Sequence, residues 1–197
     1  RISVYLLEQS RVIRQGENEG NFHIFYYFYD GMEEENRLQD YYLDPSYKCQ
    51  HKYLRHMSKS MKTNQEKWKQ LKMSFKVVGF IESEIDSIYR ILAAILNLGD
   101  IEFGEAISND NTDNKATVID IAPLLRVSKL LGVEKIDLLE SLTSNSVVTR
   151  GETIVKNNTV QEAVATRDAM AKALYGRLFD WMVNHINTLL VSNQQLK

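Results

Sequence analysis

"TVQEAVATRDAMAKALYGRLFDWMVNHINTLL", residues 159–190, is the longest periodic stretch of this chain. Its first four residues, Thr159-Val-Gln-Glu162, form a capping box. The threonine oxygen accepts from a first-turn N–H, and the glutamate three places on reaches back. Leu174, Leu178, Trp181, Ile186 and Leu189 then hold one apolar stripe to about Leu190. That is roughly 30 residues, or about 45 Å of helix at 1.5 Å per residue. A helix of this length sets the fold class as mainly α.

The stretch just before it has another character. "SNSVVTRGETIVKNN" (144–158) alternates β-branched and polar residues around Gly151 and predicts two short strands. Further upstream, Asp120 and Pro123 open a helix through Leu131, with Gly132 as its stop, and "EKIDLLESL" is a short helix. "DIEFGEAISNDNTDNKATVID" (100–120) has apolar ends and a polar tip, so it reads as a hairpin. Ile88, Ile91, Leu92, Ile95 and Leu96 make an almost wholly apolar helix. Ser83-Glu-Ile-Asp86 is expected to cap it and Gly99 to close it. Thr63-Asn-Gln-Glu66 has the same capping pattern ahead of Trp68, Leu71, Phe75 and Val78, with Gly79 as the stop. "EEENRLQDYYLDPSYK" is a loop or short helical pieces. In "NFHIFYYFY", Phe22, Phe25, Tyr26 and Tyr29 fall on one face of a buried helix, ended by Asp30-Gly31. Residues 2–12 read as a strand. The picture is mainly α with a few β-strands and hairpins.

Composition excludes several classes. With 24 basic and 26 acidic residues the chain is nearly neutral, so no bulk affinity for nucleic acid is expected. No run approaches the ~18 apolar residues needed for membrane insertion, and "RISVYLLEQSR" is not a signal peptide. A single cysteine, Cys49, forms no intrachain disulfide and fits a reducing, intracellular setting. The chain opens on a strand pattern without Met and closes just after a long helix, as a segment of something larger would.

Few residues carry chemistry. No G-x-x-x-x-G-K-[ST] occurs. "GETIVK" has one glycine, and β-branched Thr153, Ile154 and Val155 suit no phosphate-cradling turn. His51 and His56 are five apart and do not share a helix face. His23 and His185 sit in apolar stripes as core histidines, and Trp68 and Trp181 read as core. Glu33 to Glu35 read as a solvated charge run. The residues alone show no complete active site.

Three blocks carry a resemblance. "YLLEQSRVIRQGENEGNFHIFYYF" (5–28), "SIYRILAAILNLGDIEF" (87–103) and "VVTRGETIVKNNTVQEAVATRDAMAKALYGRLFDWMVNHIN" (147–187) resemble, in order, the part of a myosin motor domain between switch I and switch II. "NFHIFYYFYDGM" and "RDAMAKALYGRLFDWMV" look most like class III myosins, which carry a kinase domain ahead of the motor. Gly20 and Gly176 depart from the pattern, standing where a basic residue and a Glu are usual.

The resemblance implies a partial motor domain over 1–197, most of the upper 50-kDa subdomain of a P-loop NTPase-type motor. Residues 2–12 would be a transducer strand and 21–143 a helical region with the hairpin at 100–119. Residues 144–158 would be the cardiomyopathy-type loop and 159–190 a strut helix. The parent would be an actin-activated ATPase, cytoplasmic and cytoskeleton-associated. ATP and Mg²⁺ would bind outside this segment. The partners would be the actin filament and the remainder of the motor. Arg150, Glu152, Thr153, Ile154 and Lys156 become candidate actin contacts. Glu152 stands sixteen places before Asp168, where the family carries a charged or phosphorylatable residue. Asn109, Asp110, Asn111 and Lys115 form a second, loop-4-like element. The rival reading is a free-standing helical module that binds protein partners without enzymatic activity.

Overall fold

The structure, a computed structural model, describes residues 2–4, 6–54, 60–106, 115–149 and 152–195, without the side chains of 147, 149, 152 and 192–195. Six α-helices are described: α1 (His23–Glu34), α2 (Met61–Val78), α3 (Glu82–Gly99), α4 (Ile121–Leu131), α5 (Lys135–Thr143) and α6 (Val160–Gln195). Two antiparallel pairs interrupt them. β1 (Phe103–Glu105) pairs with β2 (Ala116–Val118), and β3 (Ser144–Thr149) pairs with β4 (Glu152–Asn157). Among the described residues no helix is long and apolar enough to cross a membrane.

The almost wholly apolar α3 lies at the centre. It packs on α4 along one side and on α6 along another, while α1 packs on α2. Ala93 to Leu96 are fully buried, and the aromatic rings of α1 join them in one core. Gly79 and Gly132 end α2 and α4 in the left-handed conformation, as the sequence leads one to expect.

Several expectations are corrected. Within this chain the described residues 2–4 and 6–8 enter neither described sheet, and Gln9–Val12 make a 3-10 turn. A strand needs a neighbour for its backbone groups. Here the Asn187 side chain meets Ile2, accepting from its N–H at 2.7 Å and donating to its carbonyl at 2.9 Å.

Asp30-Gly31 does not stop α1, which runs on to Glu34. Both residues are buried, because Asp30 pairs with Lys48 and Gly31 lies under the indole of Trp68. Glu34 and Glu35 are not merely solvated. They clamp α1 to α2 through Lys69 at 2.7 Å and Lys72 at 2.6 Å, and Glu35 also accepts from the Trp68 indole N–H at 3.1 Å.

Two caps shift in register. Ser60, not Thr63, is the N-cap of α2, accepting from the Thr63 N–H at 3.3 Å. At α3 it is Glu84 that reaches back, to the Ile81 N–H at 3.0 Å. α6 extends to Gln195, beyond the expected end near Leu190. Trp181 is not core. It is 40% exposed and stacks on His185 at 4.9 Å, with His185 Nε2 only 2.9 Å from Glu84. His23 is exposed as well and lies against Tyr27.

The departure at Gly176 has a structural reason. A Cβ there would meet Gln9 Nε2 at 2.7 Å, so the Gln9 side chain lies over the space that a larger residue would take.

Polar groups inside the fold tie the chain together between α1 and α3. Buried His51 bonds Asp100 through Nδ1 at 2.6 Å and Tyr29 through Nε2 at 3.2 Å. Tyr53 donates to Asp168 at 2.5 Å, and buried Arg167 donates to the Ile101 carbonyl at 2.8 Å. His56 lies outside the described residues.

Candidate functional site

The β3–β4 hairpin follows from its residues. β-branched side chains favour extended backbone, and the register sets Thr149 opposite Glu152. Two residues, Arg150 and Gly151, remain between the strands and lie outside the described residues. Strand periodicity puts Ile154 and Lys156 on one face and Val148, Thr153 and Val155 on the other. Both faces are open. Val148 is 72% exposed, Val155 65% and Ile154 53%, and Thr153 and Lys156 are exposed too. Apolar side chains on an uncovered hairpin are the feature expected of a contact surface. Glu152 is the first residue of β4.

β4 leads directly into α6. The predicted capping box forms in full. The Thr159 N–H donates to Glu162 Oε2 at 2.8 Å, and Thr159 Oγ1 accepts from the Glu162 N–H at 3.2 Å. Glu162 Oε1 also takes Lys156 Nζ at 3.3 Å, so the cap holds a hairpin side chain as well. The Thr159 N–H, and then Lys156, hold the Glu162 carboxyl below its ordinary value.

A folded pKa below the unfolded one means the stabilisation is present above the ordinary carboxylate range, near pH 4.3. It is lost as pH falls through the lowered value. Thermal melts from about pH 7 to about pH 3 should therefore show a shallower acid-side fall for Glu162→Gln than for the unaltered protein. Equal slopes would remove Glu162 from this role.

The β1–β2 hairpin stands at the same end of α6. Its ladder continues through the Ala106 N–H, which donates to the Lys115 carbonyl at 2.8 Å, and the Lys115 side chain is exposed. Asn109, Asp110 and Asn111 lie outside the described residues. The Ala116 N–H donates to the Asn158 carbonyl at 2.8 Å, which joins the loop end of the β1–β2 ladder to the base of the β3–β4 hairpin. The structure thus brings Thr153, Ile154, Lys156 and Lys115 to one end of the molecule.

Thr153, Ile154 and Val155 lie in the β4 ladder as ordinary extended backbone.

The family model for the myosin head (motor domain) matches residues 1–197. The chain belongs to the myosin head family. Myosin-IIIb of Mus musculus is 46% identical over 202 residues, covering 100% of this chain and 15% of that protein. Myosin-IIIa of Homo sapiens is 46% identical over 195 residues, covering 96% of this chain and 12% of that protein. Unconventional myosin-Ih of Homo sapiens is 40% identical over 191 residues, covering 95% of this chain and 18% of that protein. The likeness to class III myosins is therefore found along almost the whole chain. The chain spans less than a fifth of the length of these relatives. In this myosin-head chain, sequence reasoning found the hairpins and the α6 cap. It missed Asn158, whose only signal is a small polar residue between a strand and a cap.

Proposed function

We propose that this chain is part of an actin-based, ATP-driven motor, in which it presents the β3–β4 hairpin to the actin filament. The observation that carries the reading is the exposure of Val148, Ile154 and Val155 on a hairpin rooted at the start of a 36-residue helix. Apolar side chains on both faces, with charge beside them, give a partner both adhesion and register. Arg150, Glu152 and Lys156 supply the charge, and Thr153 and Ile154 the neighbouring surface. The β1–β2 tip, with Asn109, Asp110, Asn111 and Lys115, is the second contact. Membership of the myosin head family supports actin as the partner.

The remaining elements serve coupling. α6 is a strut, stiff because its backbone bonds are internal and its stripe is packed on α3. Residues 2–12 join the transducer sheet of the parent motor, where neighbouring strands would cover Ile2, Val4 and Leu6, all exposed here. ATP and Mg²⁺ are held by parts of the parent outside these residues, and the motor works in the cytoplasm on the cytoskeleton.

Glu152→Lys in the intact motor tests the reading. Rim charges act on association and its salt dependence. The actin concentration for half-maximal ATPase activation should rise on the order of fivefold, about 1 kcal/mol, and the shift should shrink as salt is raised. Turnover without actin is the internal reference. An unchanged actin dependence would remove Glu152 from the contact.

A further inference from the structure

Asn158 is 5% exposed, although it sits between the surface hairpin and the surface cap of α6. A buried amide must have its hydrogen bonds met. Asn158 meets them with three bonds to two other elements. Its N–H donates to the Thr143 carbonyl at 2.8 Å, and its side-chain Nδ2 donates to the Leu142 carbonyl at 3.0 Å. Its own carbonyl accepts from the Ala116 N–H at 2.8 Å. Leu142 and Thr143 end α5, where helix geometry leaves carbonyls without a partner inside the helix. Asn158 therefore caps α5 from outside and holds β2 at the same time. One residue later Thr159 and Glu162 cap α6, and Glu162 holds Lys156. Both hairpins, the end of α5 and the start of α6 meet at this point.

We propose that Asn158 is a positioning residue that locks the β1–β2 and β3–β4 hairpins into one rigid surface, so that they engage actin as a unit. The inference rests on the reading that these hairpins contact actin. Asparagine suits the place chemically. Aspartate would set a carboxylate against the Leu142 carbonyl. Alanine would leave that carbonyl unpaired at a buried junction. Movement at either hairpin is then felt at the other through the Ala116–Asn158 bond, while the two bonds to Leu142 and Thr143 fix the junction on the end of α5.

Coupling is measured by a double-mutant cycle. Ile154→Ala reports on one hairpin and Lys115→Ala on the other, and actin affinity of the intact motor is measured for each and for the pair. With Asn158 in place, the pair should deviate from the product of the single effects by about threefold or more. Asn158→Ala loses the Nδ2 bond to Leu142 and keeps both main-chain bonds, so in that background the deviation should shrink. Ala116→Pro is the second variant. It deletes the donor to the Asn158 carbonyl, an N–H directed at Asn158 rather than across to β1, and should restore simple multiplication. Should Asn158→Ala not fold, Ala116→Pro decides alone. A purely structural role would lower the melting temperature and leave the deviation intact. Multiplicative effects with Asn158 present, or a deviation that survives Ala116→Pro, overturn the proposal. If Ile154→Ala and Lys115→Ala each leave actin affinity unchanged, the actin-contact reading itself fails and this inference falls with it.

Discussion

Gly31→Ala is expected to destabilise this part of the head by about 2–3 kcal/mol and so to lower its melting temperature. Two effects oppose each other. Alanine is a better helix former than glycine by about 1 kcal/mol, and Gly31 lies inside α1. By propensity alone the substitution would stabilise. But the added methyl would stand 2.0 Å from Trp68 Cδ1 and 2.1 Å from Cγ. Something must shift, and the indole has nowhere to go. It is fully buried, packed against Phe28 at 5.7 Å and Tyr89 at 5.0 Å, and tethered to Glu35 through its N–H. Overpacking of this kind costs about 1–3 kcal/mol or more, because neighbours leave their rotamers and helices move apart. The clash is deep enough for the upper end to win, a net loss of about 2–3 kcal/mol. Trp68→Leu in the Gly31→Ala background should recover part of it by vacating the volume. A variant with Gly31→Ala that melts at or above the parent temperature would mean that propensity dominates and the α1–α2 contact is soft.

The same glycine shows why the sequence was legible in some places and not in others. The ends of α2 and α4 at Gly79 and Gly132 could be read because a left-handed residue is a local requirement. The α6 cap could be read because Thr159 and Glu162 satisfy each other within one turn. The β3–β4 hairpin could be read because alternation is local too. Gly31 carries the same letter as a stop, yet its reason is an indole 37 positions away in the chain. Asp30 beside it looks like a turn residue, but its partners, Lys48 and Asn64, come from other elements. Residues 2–12 have strand composition without a strand beside them, and composition alone forms no ladder. Trp181 sits in the helix stripe and its ring meets Phe80 and His185, yet it stays half open. Of the candidate contact site, exposure at Thr153, Ile154 and Lys156 followed from the alternation. The bonds of Asn158 did not, because all three run to residues brought near by the fold.

Lys48→Met is expected to be among the most damaging single changes available in this chain, at about 3–5 kcal/mol. Asp30 is completely buried in α1, and its charge is met by two groups: the Lys48 ammonium on the Pro45–Gln50 turn, and Asn64 Nδ2 on α2 at 2.7 Å. Lys48 itself is 6% exposed. Methionine fills much the same volume, so the loss would not come from a cavity. It would come from leaving a carboxylate in the interior with a neutral amide as its only remaining partner. That separates two explanations experimentally. If the uncompensated charge is the cause, Asp30→Asn combined with Lys48→Met should recover most of the lost stability, since a neutral pair needs no counter-ion. If Lys48 matters through packing, the double variant should be no better than the single one. Lys69→Met supplies the contrast. Its partner Glu34 is also a carboxylate at 2.7 Å, but the two side chains are 61% and 37% exposed. Water already solvates that pair, and its loss should cost less than about 1 kcal/mol. Thermal or denaturant melts of the four proteins decide the matter, and a Lys48→Met variant no worse than Lys69→Met would show that the interior around Asp30 is wet.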